Sequence, residues 1–126
     1  MTVQSGKVVW GGRVISILVS LMFAMSATMK VIGGEEVMKG MEHLGLPESM
    51  ILPLAILEIA CVVVYAIPMT SILGAILLTG YLGGAICTHW RVGDPVLTPI
   101  ILGLFVWFGL YLRDRRLKEF IPLRTR

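Results

Sequence analysis

Four long apolar runs constrain this chain more than any other feature of its sequence. They extend over Val14 to Ile32, Met50 to Ile67, Ile72 to Thr88 and Val96 to Leu112. Each has about 17–20 residues, enough for a helix rising 1.5 Å per residue to cross a hydrocarbon core of ~30 Å. Hydrophobic residues make up 56% of the 126-residue chain, which is far too apolar for a soluble domain of this size. We therefore predict one all-α domain over residues 1–126, an integral membrane four-helix bundle with helices near 13–33, 49–67, 70–89 and 96–113.

The distribution of basic residues predicts how these helices are oriented. Eight lie in the terminal segments: Lys7, Arg13, Arg113, Arg115, Arg116, Lys118, Arg124 and Arg126. Only Lys30, Lys39 and Arg91 lie towards the other side. Because segments rich in Lys and Arg stay in the cytoplasm, we expect both termini to be cytoplasmic and residues 33–49 and 89–95 to lie outside. The basic tail would then lie beside anionic lipid head groups, so the bilayer is an expected partner and nucleic acid is not.

Two charged residues within the apolar runs are the first candidates for a functional site. Glu58 has no other charge within nine residues on either side, and a carboxylate at that depth costs at least a few kcal/mol unless it is paired, protonated or turned to the bundle interior. Lys30 closes the first run, where a lysine often extends to the head groups. Helical side chains tilt towards the helix N-terminus, however, so Lys30 and Glu58 on antiparallel helices would lean towards each other. We predict a Lys30–Glu58 pair, direct or through one water or hydroxyl, rather than independent snorkelling.

Tyr81 lies at the predicted depth of Glu58, about eight residues below the outer end of the third helix. A buried tyrosine hydroxyl needs a hydrogen-bond partner, and Glu58 is the expected acceptor. Two interpretations of this group are open: a satisfied polar network that fixes the register of the bundle, or a functional site, which ionisable residues inside a membrane often mark.

The stretch LTGYLGGAICTHWRVGDP, residues 78–95, places three glycines on one apolar helix. Small residues four apart let another helix backbone approach closely in lipid. Gly80, Gly83 and Gly84 are therefore predicted to form a helix-packing face, within the bundle or between protomers.

His89 follows these glycines at the predicted outer interface. The chain has only one other histidine and no Cys, His or Asp cluster with the spacing of metal ligands, so no metal site is expected. No Ser-His-Asp, G-x-S-x-G or P-loop pattern is present either.

Two segments carry a resemblance to a known family: LGAILLTGYLGGAICTHWRVGDP (73–95) and GLYLRDRRLKEFIPL (109–123). The chain resembles the DoxX-like family of small four-helix membrane proteins, which is related to subunits of a membrane-bound quinol oxidase and thiosulfate:quinone oxidoreductase. The stretch from Ser26 to Lys30 is similar to the family's S-G-x-x-K motif, with Ala27 in place of the usual glycine. Glu58 corresponds to the glutamate of the family's second helix. The resemblance implies a redox setting in the cytoplasmic membrane of a bacterium or archaeon, often beside another protein.

Three functions are compatible with these features. The first is an accessory subunit of a membrane redox complex, or a homo-oligomer, that contacts a quinone or another lipophilic molecule between its helices and has no cofactor of its own. The second is a stand-alone membrane enzyme in which Glu58, Lys30 and Tyr81 perform acid–base chemistry on a lipid-soluble substrate. The third, a carrier of small solutes or protons, is disfavoured because four short helices with one buried acid form a poor permeation path. The candidate ligand contacts are Ser26, Lys30, Glu58, Tyr81, His89 and Trp107.

Overall fold

Every regular element among residues 6–119, the part of the chain that the computed structural model describes, is helical. The helices are α1 (Gly6–Ile32), α2 (Glu35–Leu44), α3 (Ile51–Ala66), α4 (Ser71–Arg91), α5 (Leu97–Arg113) and α6 (Arg115–Lys118), with single 3-10 turns at Glu48–Met50 and Pro68–Thr70. Glycines with positive φ end the first two helices: Gly33 and Gly34 follow α1 with φ of 73° and 108°, and Gly45 follows α2 with φ of 73°. These left-handed conformations favour glycine because it has no Cβ.

Three segments of the described chain are long and apolar enough to cross a membrane: Gly6–Ile32, Glu48–Ala66 and Pro68–Arg91. The fourth long helix, α5, is equally apolar in character but shorter, with 17 residues. Large hydrophobic side chains cover the outer surface of these helices, and many are at least half exposed, including Leu21, Leu52 and Leu104. Such a surface is typical of a membrane protein, in which the lipid covers these faces.

The helix limits differ from the predicted ones mainly at the start of the chain. Helix α1 begins at Gly6 rather than near residue 13, because the preceding stretch GKVVWGG contains no proline and continues the helical hydrogen bonding despite its glycines. Helix α4 continues to Arg91, two residues beyond the predicted end.

Helix α2 was not predicted and lies in the segment 33–49, which was expected to lie outside the membrane between the first two spans. It has acidic residues in its first turn, a glycine at its C-cap and the buried Met41 on its apolar face. These are ordinary helix signals, so the sequence contained the evidence for it.

The four long helices enclose one core. Helix α1 packs against α3 and α5, and α4 packs against the same two helices. The core consists of apolar side chains from all four, among them Phe23, Cys61, Leu78 and Val106.

The two ends of this arrangement have different components. At one end, which we call the terminal end, the start of α1 lies against the end of α5, where Gly12 faces the backbone of Arg113. At the other, which we call the loop end, Arg91 donates to the carbonyl of Leu44 at the end of α2. Residues 33–49 and 89–95 thus meet at one end, opposite the start of α1 and the end of α5.

Close helix contacts occur at glycines other than the predicted ones. A Cβ on Gly12 would lie 2.7 Å from the carbonyl oxygen of Gly109, and a Cβ on Gly109 would lie 2.8 Å from Ser16 Oγ. A Cβ on Gly74 would overlap the backbone of Tyr65. These three glycines permit the α1–α5 and α3–α4 crossings near the terminal end.

The prediction that Gly80, Gly83 and Gly84 pack against another helix of the same chain is wrong. A Cβ on any of the three would meet nothing within 4 Å. Their spacing is that of a packing face, but no neighbouring helix of the described chain reaches it. Packing between protomers, the other form of this prediction, remains a prediction.

We expect Gly74→Ala to destabilise the protein by about 1–3 kcal/mol, because the added methyl group forces two packed backbones apart. Gly83→Ala is the matched control on the same helix, and it should be neutral or slightly stabilising because alanine is the better helix former. Thermal unfolding of both variants in the same detergent measures the difference. Equal stability of the two variants would contradict the close α3–α4 contact.

Candidate ligand-binding cleft

The predicted pair between Lys30 and Glu58 is confirmed. Lys30 Nζ donates to Glu58 Oε1 at 3.2 Å and to Ser26 Oγ at 2.9 Å. The Glu58 side chain is 3% exposed and that of Lys30 is 21% exposed. Helices α1 and α3 run in opposite directions, so both side chains tilt towards the same level, as the sequence argument requires. The contact is direct, and Lys30 does not extend independently to the lipid surface.

Tyr81 from α4 joins this pair. Its hydroxyl group lies near the carboxylate of Glu58, and its ring packs edge-on against Phe23 with 6.4 Å between ring centroids. The hydrogen bond from Tyr81 to Glu58 stays a prediction. Three helices therefore contribute polar groups to a single position in the otherwise apolar core: two from α1 and one each from α3 and α4. We call Ser26, Lys30, Glu58 and Tyr81 the polar centre.

The polar centre lies in the wall of a cleft of about 710 Å³. The walls are mainly apolar and contributed by α1, α3, α4 and α5, with Met25, Leu57 and Leu102 as examples. Gly80 and Gly84 also line the cleft, whereas Gly83 does not. The missing side chains at Gly80 and Gly84 therefore create space for a ligand on the α4 side.

The loop end forms part of the wall of this cleft. The cleft is lined from that side by Met41 and Leu44 of α2 and by Leu46, the second residue after α2. His89 also lines it, and its contact with a ligand stays a prediction.

Asp94 connects the two segments of the loop end. His43 Nε2 lies 2.8 Å from Asp94 Oδ1, and His89 Nδ1 lies 3.1 Å from Asp94 Oδ2. These hydrogen bonds hold the pKa of Asp94 below its usual value, and the one with His43 has the larger effect. The position of His89 at the cleft is thus fixed by a carboxylate outside the apolar segments.

Trp107, the remaining predicted ligand contact, is not brought to the cleft. Its Nε1 donates to Thr79 Oγ1 at 2.7 Å, and it packs on the outside of the core. Five of the six predicted contacts therefore share one cleft, and Trp107 lies elsewhere.

The sequence analysis missed a fully buried tyrosine. Tyr65 is fully buried; its hydroxyl donates to the carbonyl of Val106 at 2.7 Å and lies 3.0 Å from Ser16 Oγ. The signal was available, because Tyr65 follows Glu58 by seven residues and so lies on the same face of α3. Cys61 and Val62, between them on that face, are also buried.

The cleft combines a few polar groups with apolar walls. It offers an ammonium group and hydroxyl groups as donors and a carboxylate as acceptor, beside walls that suit a hydrocarbon chain. Within residues 6–119 there is no group of three or more His, Cys, Asp and Glu side chains that could hold a metal ion.

The fold and the cleft define a small all-helical membrane protein with an ionisable pair in its core. The DoxX-like family matches residues 14–109, which is most of the chain, and the protein belongs to that family. The match includes Lys30, Glu58 and Tyr81. Comparison with curated proteins and with solved structures gave no significant match.

We expect the effects of Lys30→Met and Glu58→Gln on stability to be non-additive. Removing one member leaves the other buried without its partner, which costs about 3–5 kcal/mol where burial is complete and less here because Lys30 is partly exposed. The double variant should lose less than the sum of the two single losses. Unfolding measurements on the three variants and the parent give the coupling energy, and a value near zero would contradict a stabilising pair.

Proposed function

We propose that this protein spans the cytoplasmic membrane of a bacterium or archaeon as a four-helix bundle with both termini in the cytoplasm. The apolar outer faces of α1, α3, α4 and α5 support this proposal, and so does the meeting of residues 33–49 and 89–95 at the loop end. Basic residues are concentrated at the terminal end and beyond it, in agreement with the positive-inside rule.

We propose further that the protein is an accessory subunit of a membrane redox complex and holds a quinone, or a molecule of similar chemistry, in its cleft. The observation that carries this proposal is the polar centre in the wall of an apolar cleft. A quinone presents carbonyl oxygens to donors such as Lys30 Nζ, and its reduced form presents hydroxyl groups to an acceptor such as Glu58. Its isoprenoid chain would lie along the apolar walls.

The stand-alone enzyme is the second candidate, and the contact among Lys30, Glu58 and Tyr81 favours it. A base beside a hydroxyl and an ammonium group is a common arrangement for proton transfer. Among residues 6–119 no group of three or more His, Cys, Asp and Glu side chains could hold a metal ion, so a metal ion that accepts electrons from a quinol would have to lie on a partner. This requirement makes the accessory role the better supported of the two.

Purification of the tagged protein from its native membrane in mild detergent tests both parts of the proposal. We expect a stoichiometric partner protein by mass spectrometry and a quinone in the lipid extract. Gly84→Leu places an isobutyl group in the cleft and should lower the retained quinone about tenfold, a loss of ~1.4 kcal/mol in binding, while the partner is still recovered.

Gly83→Leu is the control, because Gly83 is on the same helix but outside the cleft. It should retain both partner and quinone. A quinone without any partner would favour the stand-alone enzyme. Equal quinone retention in the two leucine variants would remove the cleft as the binding site.

The orientation has its own test. In a background with Cys61→Ala and Cys87→Ala, a single cysteine at Glu42 should react with an impermeant thiol reagent on intact cells, and one at Thr125 should react only after lysis. Glu42 is on α2 at the loop end. The reverse labelling pattern would place the termini outside.

A further inference from the structure

A second pocket lies at the terminal end, on the opposite side of the core from the cleft. Its volume is about 440 Å³. Four arginines and one carboxylate line it: Arg13 from α1, Arg113 from the end of α5, and Arg115, Arg116 and Asp114 from the segment that follows. The pocket is therefore strongly positive.

The single carboxylate neutralises only one of these arginines. Asp114 Oδ2 accepts from Arg116 Nη2 at 2.7 Å, and Asp114 Oδ1 accepts from Arg116 Nε at 3.1 Å. This bidentate ion pair holds the pKa of Asp114 below its usual value. Within residues 6–119, no carboxylate lies within ion-pair distance of Arg13, Arg113 or Arg115.

Arg113 is held in place by neutral groups. Its Nη2 donates to the carbonyl of Tyr65 at 2.8 Å, and its guanidinium group lies 4.8 Å from the centre of the Tyr65 ring. Its Nε is buried and has no hydrogen-bond partner in the described part of the chain. These two contacts with Tyr65 hold the guanidinium group of Arg113 at the wall of the pocket.

We infer that this pocket binds a phosphate ester anion. Planar guanidinium groups donate two parallel hydrogen bonds to phosphate oxygens, which makes arginine the preferred residue for this anion. Two sources share this chemistry: the head group of an anionic phospholipid and a soluble phosphate ester. Val9 and Met69 also line the pocket and offer apolar contacts to the glycerol backbone and acyl chains of a lipid.

The test uses the full chain in nanodiscs of equimolar phosphatidylcholine and phosphatidylglycerol, extracted into mild detergent, with bound lipid counted by native mass spectrometry. We expect the parent protein to retain phosphatidylglycerol in preference to phosphatidylcholine. The double variant Arg13→Gln/Arg115→Gln should lower that retention about tenfold. Both side chains are exposed. If the double variant does not fold, Arg115→Gln alone replaces it in the test and should give a smaller loss of phosphatidylglycerol.

The control is Arg124→Gln/Arg126→Gln, which removes the same charge from the C-terminal tail and should retain the lipid. Equal losses in the two double variants would show diffuse attraction to the basic segment and overturn the site. A second arm adds glycerol phosphate to protein in phosphatidylcholine nanodiscs. A rise of roughly 5 °C in the unfolding midpoint, absent in the pocket variant, would assign the site to a soluble ester. The inference would also be overturned if the parent protein showed no lipid preference and no shift in the unfolding midpoint.

Discussion

Tyr65 is the side chain on which the packing of this protein depends most. It lies near the end of α3 and is fully buried, and it contacts each of the other three long helices. Its hydroxyl meets Ser16 of α1 and the carbonyl of Val106 in α5, and its backbone lies against Gly74 of α4. A polar hydroxyl in an apolar core is costly without partners, so these hydrogen bonds are satisfied only when α1, α3 and α5 are in register. Tyr65 therefore both fills space in the core and fixes the relative register of α1, α3 and α5.

The sequence predicted the parts of the fold that depend on one helix at a time. Apolar run lengths predicted the long helices of the chain to within two residues at every end except the start of α1, which lies seven residues earlier than predicted. The Lys30–Glu58 pair was also predictable, because helix direction and side-chain tilt alone bring the two groups to one level. Neither inference required knowledge of how the helices are rotated about their axes.

What could not be predicted was which face of each helix meets a neighbour. Gly80 and Gly84 have the spacing of a packing face, yet they line a cleft, while Gly74 and Gly109 make the close contacts. A glycine can allow another helix backbone to approach closely or can leave a space, and the local sequence does not show which of the two occurs. Only the rotation and pairing of the helices distinguishes them, and these are set by the whole core.

The distribution of these glycines explains why the core is closed at one end and open towards the other. The close contacts lie at the terminal end, around Tyr65, whereas the cleft lies towards the loop end. The two polar groups differ accordingly. The Tyr65 hydroxyl has both of its partners within the protein, so it is a satisfied network. Lys30 has three N–H donors, and its two hydrogen bonds to Ser26 and Glu58 leave one. The polar centre therefore differs from the Tyr65 network in lying in the wall of an apolar cleft, and this difference is the basis of the ligand-binding role proposed for it.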